Sequence, residues 1–217
     1  MTEPRLMDMW LAATTTHGHF HAGESAVFRV CKGYNFLTDP QADYSDVKVY
    51  LIRDGNRQEL PLRQHHGDWE VEIENATVGQ LRLLAEQNLG SACFSAQTIV
   101  ENSNHDHHHD DHEATGAEHD GYSVPAPLGL SLEILPAYST QAHLGERFTV
   151  QVWQKGLASS GTKINVTFST THQEDYPISQ LSDEQGHLTV FLSNRGDYLF
   201  IARHHDYVST YILLKNT

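Results

Sequence analysis

FHAGESAVFRVCKG at residues 20–33 returns 122 positions later as AHLGERFTVQVWQKG at 142–156. Both copies read His-x-Gly-Glu, then an alternating run, then Lys-Gly. Upstream, MWLAA (9–13) stands where EILPA (133–137) stands in the second copy. A period this long exceeds that of solenoid repeats, so it points to two related domains rather than an array. In each copy the glycine before the glutamate supplies the positive φ of a turn that opens the next strand.

The segments around these turns are short and rich in β-branched and aromatic residues. They are DMWLA (8–12), SAVFRVC (25–31), DVKVYLIR (46–53), WEVEIE (69–74) and ACFSAQTIV (92–100) in the first copy. The second has LSLEIL (130–135), RFTVQVWQ (147–154), TKINVTFST (162–170), HLTVFLS (187–193), DYLFIARH (197–204) and VSTYILL (208–214). Short alternating runs bounded by Gly, Asp, Asn or Pro predict an all-β chain of sandwiches. VGQLRLLAEQNLG (78–90) fits either a helix or an edge strand. In the second copy, Asp183-x-x-Gly186 reads as a turn, and Tyr198 as a tyrosine corner whose hydroxyl returns to the backbone while its ring fills the core. The expected division is an N-terminal sandwich over 1–100, a linker over 101–128 and a C-terminal sandwich over 129–217.

That linker holds the strongest chemical signal. NHDHHHDDHEATGAEHDG (104–121) places six histidines and six acidic residues in eighteen positions, without Lys or Arg. The whole chain has sixteen histidines and a formal net charge of −14, and seven carboxylates between 101 and 120 account for half of that charge. Such a balance repels nucleic acid and anionic lipid and attracts cations. Neutral imidazole is the commonest protein ligand for transition metals, which makes His105, His107, His108, His109, His112 and His119 candidate ligands. A spacer needs only solubility, which Glu, Lys and Ser supply without histidine.

A second candidate lies in TTTHGHFHAG (14–23). On an extended backbone His17, His19 and His21 project to one side, and three imidazoles on one face can hold Zn²⁺, Ni²⁺ or Co²⁺. Gly18 also permits a bend. The second copy keeps only His143 at this place, so two of these histidines are additions to the shared turn. His65–His66 and His204–His205 are adjacent pairs, which face opposite ways in a strand and approach one ion only within a turn. Cys31 and Cys93 are compatible with one disulfide or with two free thiols.

No run reaches the roughly 18 apolar residues of a spanning helix. MTEPRLMDMW lacks the basic start and apolar stretch of a leader, so the chain is either cytoplasmic or begins after a removed one. No nucleophile elbow, phosphate loop, Cys-x-x-Cys or His-Glu-x-x-His is present, and a mobile histidine tract is the opposite of the rigid open site a metal hydrolase needs. The expectation is a binding protein rather than an enzyme.

In their order, several motifs resemble the periplasmic component associated with nickel and cobalt uptake systems of the energy-coupling-factor type. They are DMWL (8–11), the His-x-Gly-Glu turn followed by FRVCKGYNF (28–36), the acidic histidine-rich insert, LEILP (132–136), Gly145-Glu146, and the closing Asp-x-x-Gly…Gly-x-Tyr-x-x-x-Ala-Arg-His. The resemblance spans nearly the whole chain. It implies export to the periplasm, immunoglobulin-like or transthyretin-like sandwiches, and delivery of Ni²⁺ or Co²⁺ to an inner-membrane permease. Members commonly carry a histidine just before the start motif, where this chain has Met7, so that ligand does not carry over. Two other expectations stand beside this one: a zinc-binding or metal-buffering protein with no permease partner, and a structural or adhesive sandwich module with an inert linker.

Overall fold

The computed structural model describes residues 6–14, 20–21, 23–74, 79–103, 124–171 and 176–214, with 20–21 and 101–103 as backbone only. Among the described residues every regular element is a strand and none is a helix. The first half contributes β1 (Asp8–Ala13), β2 (Phe20–His21), β3 (Ala26–Tyr34), β4 (Leu37–Thr38), β5 (Lys48–Arg53), β6 (Asn56–Leu60), β7 (Arg63–His65), β8 (Asp68–Ile73), β9 (Gly79–Leu89) and β10 (Ala92–Ser103). The second contributes β11 (Glu133–Pro136), β12 (Arg147–Gln154), β13 (Leu157–Ala158), β14 (Lys163–Phe168), β15 (Ile178–Leu181), β16 (His187–Phe191), β17 (Tyr198–His204) and β18 (Tyr207–Leu213).

The expected all-β sandwiches are present, and they share a sheet. β10 pairs with β18 in parallel, from Cys93↔Tyr207 to Thr98↔Ile212. This joins β5, β6, β9 and β10 of the first half to β14, β15, β17 and β18 of the second, in the order β15-β14-β17-β18-β10-β9-β5-β6. The sheet of β1, β3, β8, β7 and β4 covers one face, and the sheet of β11, β12, β13 and β16 covers the other. Side-chain alternation along β17 shows the two faces directly. Leu199 and Ile201 enter one core with Met9, Phe28 and Val30, while Tyr198, Phe200 and Ala202 enter the other with Ile134, Phe148 and Val150.

Burial on both faces explains why β9 fits a helical pattern so well. Leu81, Leu83 and Ala85 point to the first core while Arg82 and Leu84 point away, and all five are buried. A strand covered on both sides loses its polar alternation and reads as a continuous apolar run. The segment is neither a helix nor an edge strand; it lies between β5 and β10.

Several local expectations hold. Gly23 and Gly145 have φ of +87° and +88°. Gly186 donates to the Asp183 carbonyl, and the Asp183 carboxylate accepts from the amides of Gln185 and His187. The Tyr198 hydroxyl accepts the Asn194 amide at 2.9 Å over a ring that is 1% exposed. The Lys-Gly match between the copies does not carry over. Lys155-Gly156 forms the β12–β13 turn, whereas Lys32-Gly33 lies inside β3, and the equivalent turn is Asn35-Phe36.

The buried charged groups Lys32, Arg82 and Glu133 are paired, whereas the Tyr211 hydroxyl, in the second core, and Gln80 Nε2 are buried without a hydrogen-bond partner. Lys32 is 2% exposed, and its Nζ donates to the Asp43 carbonyl and to Gln87 Oε1, both at 2.6 Å. Burial lowers its pKa. Arg82 of β9 meets Glu133 of β11 at 2.7 Å, with side chains only 5% and 0% exposed. Gln97 of β10 bridges them, donating to Glu133 and accepting from Arg82. This ion pair crosses from one half of the chain to the other.

Removing one partner of a buried pair strands the other charge, which costs about 3–5 kcal/mol. Exposed pairs such as Arg57–Glu86 contribute about 0–1 kcal/mol. Glu133→Gln is therefore expected to lower unfolding stability by about 3–5 kcal/mol in urea denaturation, while Glu86→Gln leaves it nearly unchanged. Single-tryptophan variants reporting from Trp10 or Trp69 and from Trp153 are expected to give coincident transitions, because the halves share a sheet.

Candidate metal centre

β10 runs as an inner strand with β9 on one side throughout. On its other side β18 ends at Thr98, and the vacated edge is taken by β2, which pairs in parallel as Phe20↔Asn102 and His21↔Ser103. β10 therefore ends at Ser103, the residue before the tract, opposite His21. His21, from one histidine-rich stretch of the sequence, is thus paired through its backbone with the residue that precedes the other.

The chain returns from the tract to the same place. The Ala126 carbonyl accepts from Arg82 Nη1 at 2.7 Å, and the Leu128 amide donates to the Glu133 carboxylate at 2.9–3.0 Å. Arg82 pairs with Ile99 and Gly79 with Asn102. Departure and return are thus fastened to one end of the β9–β10 hairpin, by ladder bonds on one side and by the buried Arg82–Glu133 pair on the other. That pair was not singled out in the sequence, where a lone arginine inside an apolar run was the available signal.

His105, His107, His108, His109, His112, His119, His17 and His19 lie outside the described residues. His21 is described as backbone on β2. Among the described residues, no three His, Cys, Asp or Glu side chains gather closely enough to hold a metal ion. The described histidines have local roles. The His143 amide donates to Glu146 Oε2 within the Gly-Glu turn. His187 lies near Asp183, with its ring 5.6 Å from that of Tyr138. His65–His66 and His204–His205 both sit at hairpin turns, β7–β8 and β17–β18, with ring centroids 4.2 and 4.3 Å apart.

A protein-family model described as a domain of unknown function (DUF4198) matches residues 8–206. No curated protein matches. Among solved structures, the chain is similar to the D0-D1 domain of Intimin, at 13% identity over 95% of this chain and 97% of that one, with a TM-score of 0.27. It is also similar to the Yersinia pseudotuberculosis adhesin InvE, at 14% identity over 97% and 59% with a TM-score of 0.29. A third is trypsin-activated alpha-2-macroglobulin from Escherichia coli, at 9% identity over 90% and 14% with a TM-score of 0.31.

The cysteines are two free thiols. Cys31 is buried in the first core and Cys93 is half-buried beside the β17–β18 turn. Burial pushes the Cys31 thiol up to about 12. The thiolate is the reactive form, so a native-state titration with a thiol reagent near pH 8 is expected to label Cys93 first. Cys31 should react only at the rate of global unfolding. Equal labelling rates would contradict this burial.

Proposed function

The chain belongs to the DUF4198 family of domains of unknown function. We propose that it collects a divalent transition metal, Ni²⁺ or Co²⁺, outside the inner membrane and hands it to a membrane permease complex. The ligands in this reading are His105, His107, His108, His109, His112 and His119 of the tract, joined by His17, His19 and His21. The observation that carries the reading is the β2–β10 register, which sets His21 against Ser103, two residues before His105 in the chain. A second supports it. A linker's ordinary task is to set the distance between domains, and here that distance is already fixed by the β10–β18 ladder and by the Arg82–Glu133 pair. The tract is left without a spacing role, while its composition asks for a cationic partner.

The chemistry favours capture and release over permanent binding. Ordering a tract residue costs roughly 1–2 kcal/mol of conformational entropy, so a complex fixing several residues holds its ion less tightly than a rigid cage would. Overlapping ligand sets multiply the ways to bind. The carboxylates draw the dication in through their field, and they also favour imidazolium, which competes with it. Imidazole selects no single ion, and Cu²⁺ binds most tightly to an unselective site. The nickel and cobalt assignment rests on the motif resemblance to the uptake-system component alone, not on the DUF4198 match.

Calorimetric titration of the chain and of a variant lacking residues 104–120 with Ni²⁺, Co²⁺ and Zn²⁺ tests the reading. The deletion is expected to remove most sites at pH 7.5. Between pH 7.5 and 5.5 each imidazole ligand crosses its ordinary pKa of about 6.5, so intact-chain affinity is expected to fall about tenfold per histidine ligand. Unchanged stoichiometry in the deletion variant would move the site to His17, His19 and His21. No binding by either protein would leave a structural module with an inert tract, and a preference for Zn²⁺ would favour the buffering role.

A further inference from the structure

We propose a separate divalent-cation site at the β7–β8 turn, where His65 and His66 present two imidazoles to one partly hydrated ion of the borderline class, such as Cu²⁺, Ni²⁺ or Zn²⁺. Adjacent residues in a strand point to opposite faces and cannot share an ion. This pair escapes that rule because the strand ends at His65. The pair His65↔Asp68 closes a two-residue turn, and both turn residues are left-handed, with φ of +50° at His66 and +94° at Gly67. The reversal swings the two rings together, to a centroid separation of 4.2 Å and an interplanar angle of 59°. Two nitrogen ligands at 2.0–2.1 Å on adjacent corners of a coordination sphere lie about 3 Å apart, a spacing compatible with ring centroids 4.2 Å apart.

The surroundings favour a cation and leave it reachable. Glu70 Oε2 is 3.5 Å from His65 Nδ1, and the His65 side chain is 67% exposed. The turn borders a cleft of about 350 Å³ lined by Glu70, Glu72, Glu74 and Arg63. Arg29 engages both Asp68 and Glu70. These two carboxylates therefore contribute field rather than a bond to the metal, and water fills the remaining positions. With two protein ligands the site is weaker than a three-histidine centre, which suits an exposed exchange position. The β17–β18 turn brings His204 and His205 to 4.3 Å with φ of +51° at His205. That turn provides the comparison.

The test uses the full chain with His17, His19, His21, His105, His107, His108, His109, His112 and His119 changed to alanine, so its outcome is independent of the tract. Cu²⁺ alone is the probe, read by electron paramagnetic resonance and equilibrium dialysis. The expected result is bound copper with the superhyperfine signature of two nitrogens. Either His65→Ala or His66→Asn should weaken it by about tenfold or more, and the two together should abolish it. Asparagine is used at position 66 because it tolerates positive φ, and thermal unfolding verifies that the variants stay folded. Changing His204 and His205 should leave the two-nitrogen signal in place. The proposal is overturned if the parent binds no copper, or if spectrum and affinity are unchanged when His65 and His66 are both replaced.

Discussion

The parallel ladder between β10 and β18 is the interaction on which the rest of this molecule depends. Parallel strands cannot be joined by a tight turn and need a long intervening connection. Here that connection is the entire second half together with the tract. The ladder merges two sandwiches into one central sheet, buries β17 and β18 on both faces, and sets Glu133 of β11 over Arg82 of β9. Without it, Leu199, Ile201, Val208 and Ile212 would lose their place in the first core. Each half would then expose an unpaired inner strand, an open template for association with other chains.

The same ladder changes the meaning of residues 104–123. In a chain of two beads, a polar segment at the boundary is a tether whose length matters. In this fold the described residues flanking that segment are both anchored on β9–β10, Ser103 beside β2 and Ala126 on Arg82. The cost of closing such a loop grows only slowly with length, so a long insertion is tolerated there and its composition is free to answer to chemistry. His21, just before the Gly23 turn, lies on the neighbouring strand β2, opposite Ser103.

Much of the fold was legible because its signals are local. The Gly23 and Gly145 turns, the Asp183–Gly186 turn, the Tyr198 corner and the β12 span follow from residue chemistry at fixed spacing. What escaped was non-local. β9 concealed its period because both faces are covered, and β6, β7 and β15 are short exposed edges with little apolar content. The β10–β18 pairing joins residues more than a hundred positions apart and leaves no pattern in either strand. Lys32-Gly33 and Lys155-Gly156 match as letters yet occupy a strand and a turn. For the candidate site, sequence supplied the histidines and the fold supplied the pairing of His21 with Ser103. The turn geometry that gathers His65 and His66 depends on φ values that adjacent histidines alone do not announce.

On the proposed reading, metal gathers where β2 meets the end of β10. Paramagnetic Co²⁺ added in small steps to isotope-labelled protein tests it most directly, by nuclear magnetic resonance of the backbone amides. The account predicts that the earliest shifts and broadening fall on Phe20, His21, Asn102 and Ser103, while amides of β15, at the far edge of the shared sheet, stay unperturbed until excess metal is present. Uniform broadening, or a first response elsewhere with 20–21 and 102–103 silent, would contradict it.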